Sequence, residues 1–407
     1  MKFSQLTSLI VFLSGSVLAA PDFFELPPIK YSSEASHDAV SKMSDELQRG
    51  DWVVPPGDSK SFLKAVLHKL GISPETQVLV FSKTSLQTGL INQRNPRALY
   101  FSPNAYVGWV PGGMIEIIIE DKDLGPVFYT IRPPTGAKPA QITRATDSCL
   151  VCHANSRTEG VPGMFIRSVV PDENAHAILS QGTSLITDAS PLRERWGGWY
   201  VTGGSDDPHM GNRWTDQENV KFLPEKAQAL TDLTKLIETD KYLTPRSDIV
   251  SLMVLEHQCQ THNLLTKAKY DYRRSLYYQK SIRPDADPQK KGGMTWRLAQ
   301  HSAREIADAL LFKNEALLGG EGVEGSEEFV KALRLFAPEG KSGSLTKLRL
   351  YERLFQYRCS YMIYSESFQS LPDLIKHQVY EYLRSESSRT TLKILQETVT
   401  GFPKEER

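Results

Sequence analysis

The segment RALYFSPNAYVGWVPGGMIEIIIEDKDLGPVFYTIR, residues 97–132, determines how the first half of the chain folds. Its β-branched and aromatic runs are short and are separated by Pro, Gly, Asn and Asp, which is typical of strands joined by turns. Together with the run before it, the segment predicts strands at 77–81, 97–101, 106–110, 115–120 and 127–131. Short connections join antiparallel strands, so we expect a meander or a small sandwich.

Helical periodicity precedes these strands and returns well after them. Residues 38–49 and 59–70 form two amphipathic segments before the sheet. After the sheet, short strands are expected at 165–170 and 199–202, and the pattern becomes helical from Leu223 onward.

The longest predicted helix opens at Thr244-Pro245 and continues to about Gln279, which corresponds to about 50 Å. Further helical segments are expected at 294–318, 345–365 and 373–398. This order of elements predicts an α+β protein. Because 407 residues exceed what one compact core usually needs, we expect a mixed domain over 20–215 and an α-helical domain over 216–407.

The first residues are typical of a secretory signal peptide, predicted to span residues 1–19. Lys2 supplies the positive start, residues 6–13 a short apolar core, and Val17-Leu18-Ala19 a small-residue cleavage site. The apolar core is short for a membrane span, although an uncleaved anchor is the alternative. We therefore expect a periplasmic or secreted protein with no transmembrane segment in its mature chain.

The overall charge gives no reason to expect a nucleic-acid partner. Lysine and arginine number 48 and so do aspartate and glutamate, so the formal net charge is zero. A charge-driven partner must therefore recognise a local patch. Export would place all four cysteines, Cys149, Cys152, Cys259 and Cys359, in an oxidising compartment.

Two of these cysteines belong to the run Cys149-Leu150-Val151-Cys152-His153, which has the C-x-x-C-H pattern of c-type haem attachment. On one helical turn, residues three apart face the same side, so both sulfurs reach the two vinyl groups of a haem edge. The next residue, His153, then lies beneath the porphyrin as the proximal iron ligand. The motif predicts one haem c per chain.

Three other interpretations of the two cysteines stay open. A thioredoxin-like pair is expected to open a helix within a βαβ unit, whereas the preceding strands are predicted to be antiparallel. A zinc site needs a second closely spaced ligand pair, which Cys259 and Cys359 do not provide. A structural disulfide between Cys149 and Cys152 is the third.

At this motif the chain resembles the c-type cytochromes, and the resemblance implies thioether bonds at Cys149 and Cys152 with His153 on the iron. A wider set of segments resembles a functionally uncharacterised family of bacterial exported haem proteins and implies no particular reaction. These segments are residues 80–84, 106–110, the motif itself, 195–203 and 209–212.

The sixth iron ligand decides between electron transfer and ligand binding at the iron. Met164 lies on a turn-rich loop eleven residues after His153, and His209-Met210 lies in another such segment. We keep Met164, His209 and Met210 as distal candidates beside another side chain or an open site.

Burial of a haem requires apolar walls and cations for its propionates. The aromatic residues Trp196, Trp199 and Tyr200 are candidates for the walls. The candidate cations are Arg144, Arg157, Arg167 and Arg195.

Two further pairs lie in the predicted helical half. His257 and His262 are five residues apart and do not converge on one helix face, so we expect one to be packed and one to face solvent. Cys259 and Cys359 are expected either to form a disulfide or to remain buried thiols.

The preferred interpretation is a monohaem electron carrier that exchanges one electron with a redox protein or a small-molecule donor or acceptor. One alternative is a haem enzyme or gas sensor with an open distal site. The other is a haem-free binding protein stabilised by disulfides.

Overall fold

A computed structural model of the chain describes residues 22–54, 57–136, 138–217 and 219–404. The predicted signal peptide, residues 1–19, lies outside the described residues. The described part is rich in antiparallel sheet in its first half and in helix in its second half, which confirms the α+β class. None of its helices combines the length and apolar character needed to cross a membrane.

Six of the strands form a single antiparallel sheet. The described strands are β1 Val78–Val80, β2 Arg97–Ser102, β3 Ala105–Trp109, β4 Ile115–Asp121, β5 Gly125–Arg132, β6 Gln141–Arg144, β7 Ile166–Val169, β8 Thr183–Ile186, β9 Gly204–Ser205 and β10 Val323–Glu324. Strands β1 to β6 pair in sequence order, which confirms the predicted meander. The pairs β7–β8 and β9–β10 are two small separate ladders.

The register of the sheet assigns its residues to two faces, because paired residues of neighbouring strands point to the same side. One face, here called the site face, carries the aligned row Leu99, Gly108, Glu116, Thr130 and Thr143. The opposite face, here called the back face, carries the row Ala98, Trp109, Ile115, Ile131 and Ile142. The back-face residues belong to one core, which also includes Phe128 of the site face, while Phe101 and Tyr106 of the site face belong to a second core.

Nine α-helices are present among the described residues. They are α1 Ala39–Arg49, α2 Ser59–Lys69, α3 Leu150–His153, α4 Ile249–Ile282, α5 Met294–Leu310, α6 Glu327–Leu333, α7 Glu366–Gln369, α8 Asp373–Glu386 and α9 Arg389–Thr398.

The back face is covered by α1 and α2, the two helices that the amphipathic pattern predicted. Val40, Met43, Leu63 and Val66 are buried in one core with Trp109 and the other back-face residues. Asp38 caps α1 by accepting hydrogen bonds from the amides of Val40 and Ser41.

The site face is covered at one end by the long helix α4. Phe101 and Tyr106 on that face share a core with Leu252 and Cys259 of the helix. The packing therefore joins the sheet of the first half to the helices of the second half.

The start of α4 differs from the prediction. The helix begins at Ile249 and not at Thr244-Pro245, because Asp248 caps it by accepting bonds from the amides of Val250 and Ser251. The carbonyls of Thr244 and Arg246 are instead bound by the side chain of Gln77. The helical pattern expected from Leu223 therefore produces a regular α-helix only from Ile249, among the described residues.

Other predicted elements of the second half of the chain are shorter, or are wrong. Helix α5 ends at Leu310 and not at 318, and the segment predicted at 373–398 is divided into α8 and α9 by a new cap at Ser388. The prediction of a helix at 345–365 is wrong. Leu345, Leu354 and Phe355 lie in irregular backbone, and their side chains are buried.

The strand expected at 199–202 is also wrong. This segment makes only isolated bridges, at Trp199 and Thr202. The backbone amides of Tyr200, Val201 and Thr202 donate to three different segments, so no ladder forms.

Candidate functional site

The C-x-x-C-H run forms α3, a single helical turn between β6 and β7. The amides of Cys152 and His153 both donate to the carbonyl of Cys149, at 3.2 and 2.9 Å. This turn places the two cysteines three residues apart on one side. Cys149 is half-buried, Cys152 is exposed, and both are free thiols.

The imidazole of His153 is held in one orientation. Its Nδ1 lies 2.9 Å from the carbonyl oxygen of Gly163, and a carbonyl only accepts, so the proton is on Nδ1. The ring packs between Phe128 and Phe165, with centroid distances of 5.3 and 5.5 Å. The bond at Nδ1 leaves the lone pair on Nε2, which is the form of histidine that binds metals.

The surroundings of His153 also keep it neutral. Burial lowers the pKa of His153, and the nearby Arg97 acts in the same direction. A neutral imidazole at neutral pH is the state in which Nε2 is a ligand.

The loop that binds His153 is itself fixed by the long helix. Asn263 of α4 accepts a hydrogen bond from the amide of Met164 at 2.9 Å and donates to the carbonyl of Met164 at 2.6 Å. A Cβ at Gly163 would lie 2.2 Å from the Asn263 Oδ1, so the close approach requires glycine there. The helix therefore positions the carbonyl that orients His153.

Met164, one of the distal candidates, follows directly after Gly163, whose carbonyl contacts Nδ1 of His153. Its side chain is 4% exposed and belongs to the core shared with α4.

The other distal candidates lie in different surroundings. His209 is buried, its Nδ1 accepts from the amide of Gly211 at 3.0 Å, and its ring packs 5.2 Å from Trp196. Burial lowers the pKa of His209 to about 4. The amide of Met210 donates to the carbonyl of Arg195. These contacts share no residue with those of His153.

Two of the four candidate arginines remain available for an anion near the motif. Arg157 is exposed, with its guanidinium 5.9 Å from the ring centroid of Phe165. Arg167 is half-buried and donates to the hydroxyl of Thr183 at 3.1 Å. The pKa of Arg167 is lowered by burial and by Arg157, while Cys152 acts in the opposite direction. Neither arginine has an acidic partner among the described residues.

The other two arginines are already engaged. Arg144 donates to the carbonyls of Glu34 and Tyr31 at 2.6 Å each. Arg195 is buried and forms an ion pair with Glu256 at 2.6 Å.

An ion pair on the site face was missed by sequence reasoning. Arg97 and Glu116 are 2.6 Å apart, and the Arg97 guanidinium lies so close to Gly108 that a Cβ there would be 2.2 Å away. The Arg97 Nε is buried without a hydrogen-bond partner among the described residues. Burial raises the pKa of the Cys149 thiol, and Glu116 adds to this effect, which places the ion pair beside the motif. The signal was a single charged residue in β2, Arg97, and an acidic residue between isoleucines in β4, Glu116.

The three aromatic residues proposed as haem walls do not form one surface. Trp199 donates from its indole to the carbonyl of Arg167 at 2.8 Å, close to the motif. Trp196 donates to Glu256 on α4, and Tyr200 belongs to the back-face core.

The two histidines of α4 are separate, as predicted, but both are buried, so the expectation that one faces solvent is wrong. His262 lies 2.7 Å from the hydroxyl of Tyr106. His257 lies between Asp188, 2.7 Å from Nδ1, and Ser360, 2.6 Å from Nε2. This order resembles a hydrolytic triad, but the Ser360 side chain is fully buried and caps the amide of Met362, so the three residues connect segments of the core.

The disulfide considered between Cys259 and Cys359 is not formed. Both residues are free and buried. Burial raises the pKa of the Cys359 thiol to about 12 and raises that of Cys259 further, so both are unreactive thiols at neutral pH.

Comparison with known proteins adds no family to this description. No protein-family model, curated protein or solved structure matches the chain. Within the described residues, no group of three or more His, Cys, Asp or Glu side chains is arranged to hold a metal ion.

Proposed function

We propose that the chain is a c-type cytochrome that carries one haem c, with thioether bonds to Cys149 and Cys152 and with His153 as the proximal ligand. The observation that carries the proposal is the bond from His153 Nδ1 to the Gly163 carbonyl, next to two free thiols on one helical turn. When bound, the haem supplies an iron that takes up and releases one electron.

The residues around the motif have separate roles in this proposal. Gly163 orients the imidazole and increases its basicity, since a hydrogen bond at Nδ1 makes Nε2 a stronger donor. Phe128 and Phe165 exclude water from the ring. Arg157 and Arg167 bind the propionates, because they are the nearby cations without an acidic partner among the described residues. Arg97 offers a further unpartnered donor on the site face.

The proposed activity is one-electron transfer with a redox protein or a small-molecule donor or acceptor, in the periplasm or outside the cell. An open distal site is the second candidate, in which the protein is a haem enzyme or a gas sensor. The burial of Met164 in the core shared with α4 supports that candidate. A visible spectrum with and without carbon monoxide distinguishes the two.

The covalent haem is tested by a pyridine haemochrome assay and intact mass of the chain produced with the haem-attachment machinery. We expect a c-type band and the mass of one haem, both abolished in Cys149→Ala/Cys152→Ala. Cys259→Ala/Cys359→Ala is the matched control and is expected to keep the haem. Colourless protein with Cys149 and Cys152 joined to each other would instead support the haem-free alternative.

A further inference from the structure

The end of α4 and the loop that leads into α5, residues 277–294, are here called the tip. Four large apolar or aromatic side chains of the tip are exposed: Tyr277 44%, Tyr278 43%, Ile282 75% and Met294 61%. Single exposed apolar residues are common on protein surfaces, but a cluster marks a binding surface.

The same tip carries cations that are not neutralised. Lys280, Arg283, Lys290 and Lys291 are exposed and form no ion pair among the described residues. Two aspartates also lie in the tip, which leaves it with a net charge of +2. The tip therefore combines apolar and cationic side chains.

The tip encloses a cavity of about 760 Å³ with both kinds of side chain in its lining. Its lining includes Ile282 and Met294, the cations Arg283, Lys290 and Lys291, and the two aspartates Asp285 and Asp287. Gln279 holds the loop in place, donating to the carbonyl of Ala286 at 3.1 Å and accepting from the hydroxyl of Thr295 at 2.7 Å.

We propose that the tip binds the surface of an anionic lipid bilayer. Phosphate headgroups contact Arg283, Lys290 and Lys291, while Ile282 and Met294 enter the boundary between headgroups and acyl chains. The two tyrosines lie where aromatic side chains concentrate at membrane interfaces. An acidic protein surface would match the cations, whereas an anionic bilayer matches the cations and the exposed apolar side chains together.

The proposal is independent of the proposed haem. Ile282 is about 28 Å along the helix axis from Asn263, the residue that fixes the loop at His153. The tip therefore lies well along α4 from the residue that fixes this loop.

The test is co-sedimentation of the purified mature protein with vesicles of phosphatidylcholine alone or mixed with phosphatidylglycerol. We expect binding only to the anionic vesicles, weakened by salt. Arg283→Ala/Lys290→Ala/Lys291→Ala is expected to bind about a hundredfold more weakly, since each cation near a charged membrane contributes about fivefold. Ile282→Ser/Met294→Ser is expected to lose about tenfold or more.

Matched control variants remove the same kinds of side chain, exposed lysines and an exposed apolar residue, outside the tip. Lys64→Ala/Lys393→Ala removes exposed unpaired lysines, and Leu335→Ser removes an apolar side chain that is 83% exposed. Both are expected to bind like the unchanged protein. Three outcomes would each overturn the proposal: equal binding to neutral vesicles, binding that the tip variants leave unchanged, or binding of free glycerol phosphate with no binding to vesicles. Circular dichroism checks that every variant is folded.

Discussion

Asn263 on the long helix holds both backbone polar groups of Met164, at 2.9 Å for the amide and 2.6 Å for the carbonyl. The preceding carbonyl, that of Gly163, is the one that His153 Nδ1 contacts. The side chain of the proposed proximal ligand is therefore oriented by a residue more than a hundred positions later. This chain of contacts gives the helical half of the molecule a role at the motif.

Replacing Asn263 tests this role. Asn263→Ala leaves the Met164 amide without its partner, so we expect the free energy of unfolding to fall by about 1–3 kcal/mol. The loosened Gly163 carbonyl binds Nδ1 less well, which makes Nε2 a weaker donor to ferric iron. We therefore expect the haem to stay attached while its midpoint potential rises, measured by redox titration.

Gln258 provides the matched control for Asn263. It lies on the same helix, is buried, and uses its amide to bind the carbonyl of Ser102 and the hydroxyl of Tyr361. Gln258→Ala is expected to lose similar stability with an unchanged potential. Equal potential shifts in both variants would show that general loosening, and not the contact at Gly163, is responsible.

A variant of Met164 tests whether this residue binds the iron or only packs in the core. Met164→Ala removes a buried side chain, so we expect the free energy of unfolding to fall by about 2–5 kcal/mol in chemical denaturation. Because the Met164 side chain is buried in the core shared with α4, the visible spectrum is expected to stay the same. Conversion from low spin to high spin in this variant would instead identify Met164 as the distal ligand.

The sheet and the motif followed from the sequence because both depend on local patterns. Strands β2 to β5 have β-branched and aromatic runs bounded by turn residues, and the C-x-x-C-H spacing is a property of one helical turn. The helix start at Ile249 was missed because Gln77, far away in sequence, binds the carbonyls of Thr244 and Arg246.

The surroundings of the motif were less predictable, since they depend on contacts distant in sequence. Asn263 has no feature that distinguishes it from other asparagines, and the ion pair of Arg97 with Glu116 depends on the register of three strands. The ion pair that engages Arg195, one of the candidate partners of the propionates, depends on Glu256, which is distant in sequence.

Buried His262 predicts how stability depends on pH. Burial lowers the pKa of His262 to about 3 in the folded chain, with Lys269 acting in the same direction, whereas an unfolded histidine titrates near 6.5. Below pH 6.5 the unfolded chain binds a proton that the folded chain does not. The free energy of unfolding is therefore expected to fall by about 1.4 kcal/mol per pH unit from this residue, down to about pH 3.

Urea denaturation between pH 7 and pH 4 measures this dependence. His262→Gln removes the titrating group and is expected to have a shallower pH dependence. His301→Gln is the control, because the His301 side chain is 69% exposed. A slope that His262→Gln leaves unchanged would assign the acid sensitivity to other groups.

Variants of Arg167 and Arg144 can be compared, because Arg167 is available to the proposed haem whereas Arg144 is already engaged by two backbone carbonyls. A positive charge close to the iron disfavours the oxidised state, which carries one more positive charge, so removing that cation lowers the midpoint potential. Arg167→Gln is expected to lower it by an amount on the order of tens of millivolts. Arg144→Gln, whose guanidinium donates to the carbonyls of Glu34 and Tyr31, is expected to lose stability with little change in potential. A larger shift for Arg144→Gln than for Arg167→Gln would place the propionates on the other side of the motif, beside β6.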